Sequence, residues 1–218
     1  MKEFFRHFHL INKPTNLVFS SNNVHKFVVH KSYNYILKLT VEVTMPPEDN
    51  FKIAEEELMK DYGYSGLWGR IKVRFRFMKS WILHFLAYSS PIPSFSISMQ
   101  RARGVKIGKG CHMSPYVLID LLYPHLVTIG DNVSIGSNTM IFAHSNMSAN
   151  NNLHKIYPRK TGNVTIKSGA MIMPGTIIAN NVTIGENAVT AIGSVVASDV
   201  PDNCVVVGNP ARVVKKIS

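Results

Sequence analysis

The chain has 218 residues, a formal net charge of +11 and two cysteines. That length suits one large domain, or one repeat domain with an extension, and is short for two full-sized domains. No run reaches the ~18 apolar residues of a membrane span, and the first ten residues (MKEFFRHFHL) lack the apolar centre and cleavage site of a secretory signal, so an intracellular protein, soluble or peripheral, is expected.

Cys111 and Cys204 follow no metal or redox spacing and read as small apolar fillers. The charge is uneven: residues 62–119 hold no acid, whereas Arg70, Lys72, Arg74, Arg76, Lys79, Arg101, Arg103, Lys106 and Lys109 are basic. This local positive field suits a phosphate-bearing cofactor, an anionic membrane surface or a polyanion, and composition does not choose among them.

Residues 1–66 read as an α+β extension. Tyr33, Tyr35, Leu37, Leu39, Val41 and Val43 alternate with polar residues, as in a half-buried strand. Pro46-Pro47-Glu48-Asp49-Asn50 then resembles a helix start before FKIAEEELMKDY. No chemistry is visible here, and a packing or oligomer-contact role is expected.

Residues 67–98 form a basic amphipathic segment. LWGRIKVRFRFMKSWILHFLAY interleaves cations with large apolar side chains and stops before Pro91 and Pro93. KVRFRF (72–77) alternates like a strand, but a helix over 67–88 puts Trp68, Ile71, Phe75, Met78, Ile82 and Phe85 on one stripe flanked by cations. Two readings stay open: the stripe lies on a membrane interface, or it packs on the main domain.

From residue 99 the chain counts in sixes. Glycine, absent from residues 1–62, occurs eleven times in 104–208. Ile107, Met113 and Ile119, then Ile129, Ile135 and Ile141, then Ile166, Ile172, Ile178, Ile184, Thr190 and Val196 recur every six residues, with a small or β-branched residue four places after most of them. Tyr123 is the bulky exception. A period of six is neither helical nor a simple alternation. Each hexad can be one short strand plus a corner, with the aliphatic residue inward, and three hexads per coil make about four coils stacked at ~4.8 Å. The count breaks at MIFAHSNMSANNN (140–152), where residues 145–163 leave the coil as an excursion loop directly after His144. A shorter break of four residues precedes Ile129. Loops that abandon a rigid scaffold are where binding residues gather.

The lead-in GVKIGKG, the stretch IGDNVSIGSN and the ending IGSVVASDVPDNCVVVGNPARVVKKI resemble the hexapeptide-repeat acyltransferases, which include galactoside, maltose and serine acetyltransferases and many polysaccharide O-acetyltransferases. The resemblance covers roughly 99–218. It implies a mainly β fold, a left-handed parallel β-helix of about four coils with an excursion loop and a C-terminal tail, preceded by the α+β extension. It further implies a homotrimer and acetyl-CoA as co-substrate, with direct acetyl transfer to a hydroxyl of a sugar or glycan intermediate. His144 then matches the histidine that acts as general base at a subunit interface. Asp120, expected beneath Phe142, matches an acidic residue that contacts the acceptor sugar, and it either binds a hydroxyl or orients the imidazole. Thr190, Ala191, Gly193, Ser194, Ala197 and Ser198 match backbone positions along the pantetheine arm. Arg212, Lys215 and Lys216 match tail cations near the nucleotide phosphates, or form a solvated basic end.

The chain departs from the family at Met171, where sugar acetyltransferases commonly carry an aromatic residue, and at Lys167 and Ala179, where they often carry glycine. His112, His125 and His154 do not match the three-histidine zinc spacing of the related γ-class carbonic anhydrases, and no metal is expected. An antibiotic O-acetyltransferase and a trimeric scaffold without catalysis are the rival readings. Nucleic-acid binding rests on charge alone. A cytoplasmic location is expected, at the inner face of the membrane if residues 67–88 meet lipid.

Overall fold

In a computed structural model of the chain, residues 48–145 and 151–217 are described. The strand expected over residues 33–43 lies outside them. Among the described residues three helices come first: α1 (Glu48–Asp61), α2 (Gly66–Tyr88) and α3 (Pro93–Ala102). α1 starts behind the Pro46-Pro47 pair and carries Lys60 in its last turn, where a cation favours the helix C-terminus. α3 starts on Pro93, whose missing N–H costs a first turn nothing. The KVRFRF alternation is helical, inside α2. α3 also crosses the boundary expected at residue 98, so the helical layer ends at Ala102.

The coil then runs as twelve short strands, three to a turn: β1 (Lys106–Ile107), β2 (His112–Met113) and β3 (Leu118–Ile119); β4 (Val127–Ile129), β5 (Ser134–Ile135) and β6 (Met140–Ile141); β7 (Val164–Ile166), β8 (Met171–Ile172) and β9 (Ile177–Ile178); β10 (Val182–Ile184), β11 (Val189–Thr190) and β12 (Val195–Val196). A helix α4 (Asn151–Ile156) lies in the excursion loop. The strands build three parallel sheets, β1-β4-β7-β10, β2-β5-β8-β11 and β3-β6-β9-β12. β13 (Cys204–Gly208) extends the second of these and turns back as an antiparallel partner, β14 (Ala211–Lys216).

Ile107 pairs with Ile129, Ile129 with Ile166 and Ile166 with Ile184, so a regular coil takes 18 residues, the first takes 22 and the second 37. The extra residues are the two breaks in the repeat. Ile119, Ile141, Ile166, Ile178 and Ile184 are fully buried in ladders that fill the core. A single hexad buries almost nothing, and stacking supplies the stability. Gln100 and Ile97 of α3 are buried with Met113, so α3 covers the open end of the first coil, as a terminal cap must. Cys204 is buried, Cys111 half-buried, and both are free thiols.

Candidate active site

Most corners of the coil use the same device. Three residues after the inward aliphatic stands a left-handed residue: Gly110 and Tyr116, Asn132 and Asn138, Gly169, Gly175 and Asn181, Asn187 and Gly193, all with φ between +53° and +72°. Glycine and asparagine reach that region most cheaply. Leu122 and His144 hold the equivalent third-corner places in the first and second coils and lack it, because there the chain leaves the coil. The two breaks are therefore stacked.

At this doubly broken corner Asp120 lies beneath Phe142, as the register Ile119 to Ile141 requires. His144 Nδ1 is 2.5 Å from Asp120 Oδ2, which also accepts the Ala143 N–H at 2.8 Å. Asp120 Oδ1 accepts the N–H groups of Leu122 and Tyr123, each at 2.9 Å. Burial alone pushes the Asp120 pKa up. The hydrogen bonds from His144, Tyr123 and Ala143 outweigh it and hold the carboxyl below the ordinary aspartate value. A carboxylate only accepts, so in the neutral ring Nδ1 carries the proton and Nε2 keeps its lone pair. The His144 side chain is 12% exposed and that of Asp120 is not exposed at all.

With both oxygens on protein donors and no exposed face, Asp120 has no atom available to an acceptor hydroxyl. Of the two roles open from the sequence, orienting the imidazole is the one its position allows.

The base of the excursion loop fixes the histidine backbone. His144 pairs antiparallel with Thr161, Ser145 N–H donates to Lys160 O at 2.8 Å, and Gly162 N–H donates to Ala143 O at 2.9 Å. From the loop, Arg159 reaches Tyr123 Oη at 3.4 Å. Tyr123 donates its hydroxyl to Asp61 of α1 at 2.6 Å and sets its ring 5.3 Å from that of His144. Burial, then the Asp61 carboxylate, raises its pKa. Tyr123, Asp61 and Arg159 were missed as site residues from the sequence. Only Tyr123 left a signal there, as the bulky occupant of a small-residue position.

Behind Asp120 is a buried cation without a carboxylate partner in hydrogen-bond range among the described residues. Arg103 donates to the carbonyls of Ile119 and Asp120 at 3.1 and 2.5 Å, to Gln100 Oε1 at 2.6 Å, to Ser80 Oγ at 3.2 Å and to His84 Nδ1 at 3.1 Å. Burial lowers its pKa to about 10, which leaves it charged at neutral pH. Burial first, then the Arg103 charge, pushes His84 down to about 4, so His84 is neutral and accepts.

The positions expected along the pantetheine arm divide. Thr190 and Ser194 are fully buried: Thr190 Oγ1 meets Thr176 Oγ1 at 2.9 Å and the Met173 N–H at 3.1 Å, and Ser194 Oγ accepts the Gly208 N–H. Their side chains fill the coil and do not face a ligand. Ala191 N–H is spent on Val206 O. Gly193, Ala197 and Ser198 are exposed, Gly193 has open space around it, and β12 is the last strand of its sheet, so its outer edge is open. Arg212, Lys215 and Lys216 are exposed on β14. His112 is exposed, His125 lies 3.3 Å from Tyr62 Oη, and the side chain of His154 is outside the described set. Met171 is exposed on β8, while Lys167 pairs with Asp202 at 2.9 Å in a corner-to-corner contact.

No family model matches the chain. Its match to relatives spans 59% of the Bacillus subtilis protein YvoF, an acetyltransferase by name alone, at 36% identity over half of this chain. It spans 46% of the Escherichia coli galactoside O-acetyltransferase, at 36% identity over 43% of this chain. It spans 74% of SAS0727 of Staphylococcus aureus, also an acetyltransferase by name, at 33% identity over 57% of this chain. The Vibrio cholerae hexapeptide-repeat acetyltransferase solved with acetyl coenzyme A superposes with a TM-score of 0.58 at 23% identity, over 71% of this chain and 93% of that one. The chain belongs to the hexapeptide-repeat acetyltransferases.

Proposed function

We propose that the protein is an acetyl-CoA-dependent O-acetyltransferase that passes an acetyl group directly to a hydroxyl of a sugar or glycan intermediate, with His144 as general base, and that it works as a homotrimer. One observation carries the reading: an aspartate–histidine pair held at the base of the excursion loop, in a coil of this family.

Acetyl-CoA supplies the acyl group as a thioester. An alcohol is a weak nucleophile at neutral pH, and His144 Nε2 is the atom that accepts its proton as the oxygen bonds to the carbonyl carbon. When the carbon–sulfur bond breaks, that proton passes to sulfur, and the imidazole returns neutral. Asp120 acts through His144: it holds the Nδ1–H tautomer and stabilises the ring while it is charged. The exposed surface around Gly193, Ala197 and Ser198 admits an extended arm, and Arg212, Lys215 and Lys216 suit phosphates. A subunit interface beside the mostly buried His144 ring would complete the cleft.

Calorimetric titration with acetyl-CoA, followed by thiol release with a panel of glycan and antibiotic acceptors, tests this. Saturable binding by wild type and His144→Ala alike, with turnover lost by about 10²–10⁴-fold in the variant, is the expected result. A folded chain that binds no acetyl-CoA would return the coil to the scaffold reading.

A further inference from the structure

We propose that α2 lies in the plane of an anionic membrane surface, with its outward apolar face in the acyl boundary and its flanking cations at the headgroups. The helix is turned opposite to an ordinary surface helix. Gly69, Val73, Ser80, His84 and Ala87 are its buried residues. On the other side Trp68, Ile71, Phe75, Met78, Ile82 and Phe85 are 45–74% exposed. A contiguous apolar face of that size marks an interaction surface. Among the described residues no helix is long and apolar enough to cross a membrane, so an in-plane seat is the geometry open to it.

Charge selects the occupant. α2 carries five cations and no acid. Arg74 and Arg70, on one edge, are tied to α1 through Glu55 at 2.6 Å and Glu56 at 3.3 Å. Lys72, Arg76 and Lys79 line the other edge. A second copy of the helix would bring like charges together, whereas an anionic leaflet attracts them. Beside that edge is a cavity of about 250 Å³ whose lining includes Arg76, Lys79, Arg101 and Arg103 and no carboxylate, a setting for a phosphate headgroup. On the inner face Ser80 donates to Leu121 O at 2.8 Å, one residue past Asp120. The lipid-facing side is thus separated from Leu121 by about one helix diameter, ~10 Å. If the acetyltransferase reading holds, the acceptor hydroxyl belongs to a lipid-anchored molecule; the membrane contact itself does not depend on that reading.

The two tryptophans of the chain, Trp68 and Trp81, are both exposed on α2, so their fluorescence reports on this face. The full chain is mixed with phosphatidylcholine vesicles, with and without phosphatidylglycerol, carrying brominated acyl chains. A blue shift and quenching are expected with phosphatidylglycerol present, both reversed by salt. Lys72→Gln with Lys79→Gln should weaken partitioning by about fivefold per cation. Ile71→Ser with Phe75→Ser should abolish quenching while circular dichroism and the melting temperature stay as in wild type. Absence of quenching in every vesicle overturns the proposal. So does a concentration-dependent blue shift without lipid, accompanied by a rise in mass that Phe75→Ser removes, which assigns the face to a second copy. Acetyl-CoA binding is measured separately and fails or succeeds independently.

Discussion

At the residue scale the chemistry rests on a buried carboxylate, and its pH behaviour has a sign. The folded pKa of Asp120 lies below the unfolded value, so the stability its ionised form contributes is present above the unfolded aspartate pKa and is lost as the pH falls through the folded one. Asp120→Asn leaves the shape and removes the charge. It should cost about 1–3 kcal/mol at pH 7 by urea denaturation, and lower kcat by about 10²-fold or more with little change in acetyl-CoA affinity. His84 acts oppositely to a salt-bridged histidine. Its folded pKa, about 4, is below the unfolded 6.5, so the unfolded chain takes the proton first. Stability should fall as the pH drops from about 6.5 to about 4, by up to about 3 kcal/mol, and then level off. In His84→Gln that decline should shrink by this amount in parallel denaturation curves; an unchanged slope would mean His84 is charged in the fold.

At the element scale the corners decide which substitutions the coil tolerates. A Cβ on Gly185 would sit 2.4 Å from the Asp202 N and Pro201 C backbone atoms of the chain above, where nothing flexible can yield. Gly193 has the left-handed φ of +69° but nothing within 4 Å. Gly193→Ala should therefore cost only the left-handed penalty, about 1–2 kcal/mol, while Gly185→Ala should cost about 1–3 kcal/mol through overpacking and disturb the coil above. Denaturant midpoints of the two variants compare these directly. The third corner of the first two coils is where this economy is suspended, and the residues released from corner duty are Leu122 and His144. The hexad count located that place, since a missing multiple of six is visible in the chain. It marked Tyr123 only as a bulky side chain at a small-residue position, and it did not reveal Asp61 and Arg159 as partners, because they come from a helix and a loop with no shared period.

At the scale of the whole molecule, stability is distributed over stacked neighbours, so a deletion in a middle coil is felt on both sides. Ile172 pairs with Ile135 below and Thr190 above. Ile172→Ala should cost about 2–5 kcal/mol. A trimer is expected to sediment at three times the chain mass and to lose activity on dilution as it dissociates. A monomer with full activity would place the whole cleft within one chain.

The six-residue spacing alone carries the coil, its register and the inward ladder, because these are one local pattern repeated, and the two breaks are visible as departures from the count; the family came from the resemblance of particular motifs. The spacing also carried Asp120 and His144 to the same corner, since three hexads per turn is enough to stack them. Only the tertiary structure shows that Asp120 is hydrogen-bonded to the imidazole, that Thr190 and Ser194 turn inward, and that Arg103 is buried behind the dyad. It alone decided which way α2 faces. Periodicity reveals that a helix has an apolar stripe, but the surface it meets selects the packed side, and at this contact small residues such as Gly69, Ser80 and Ala87 are buried, leaving the tryptophans and phenylalanines outside.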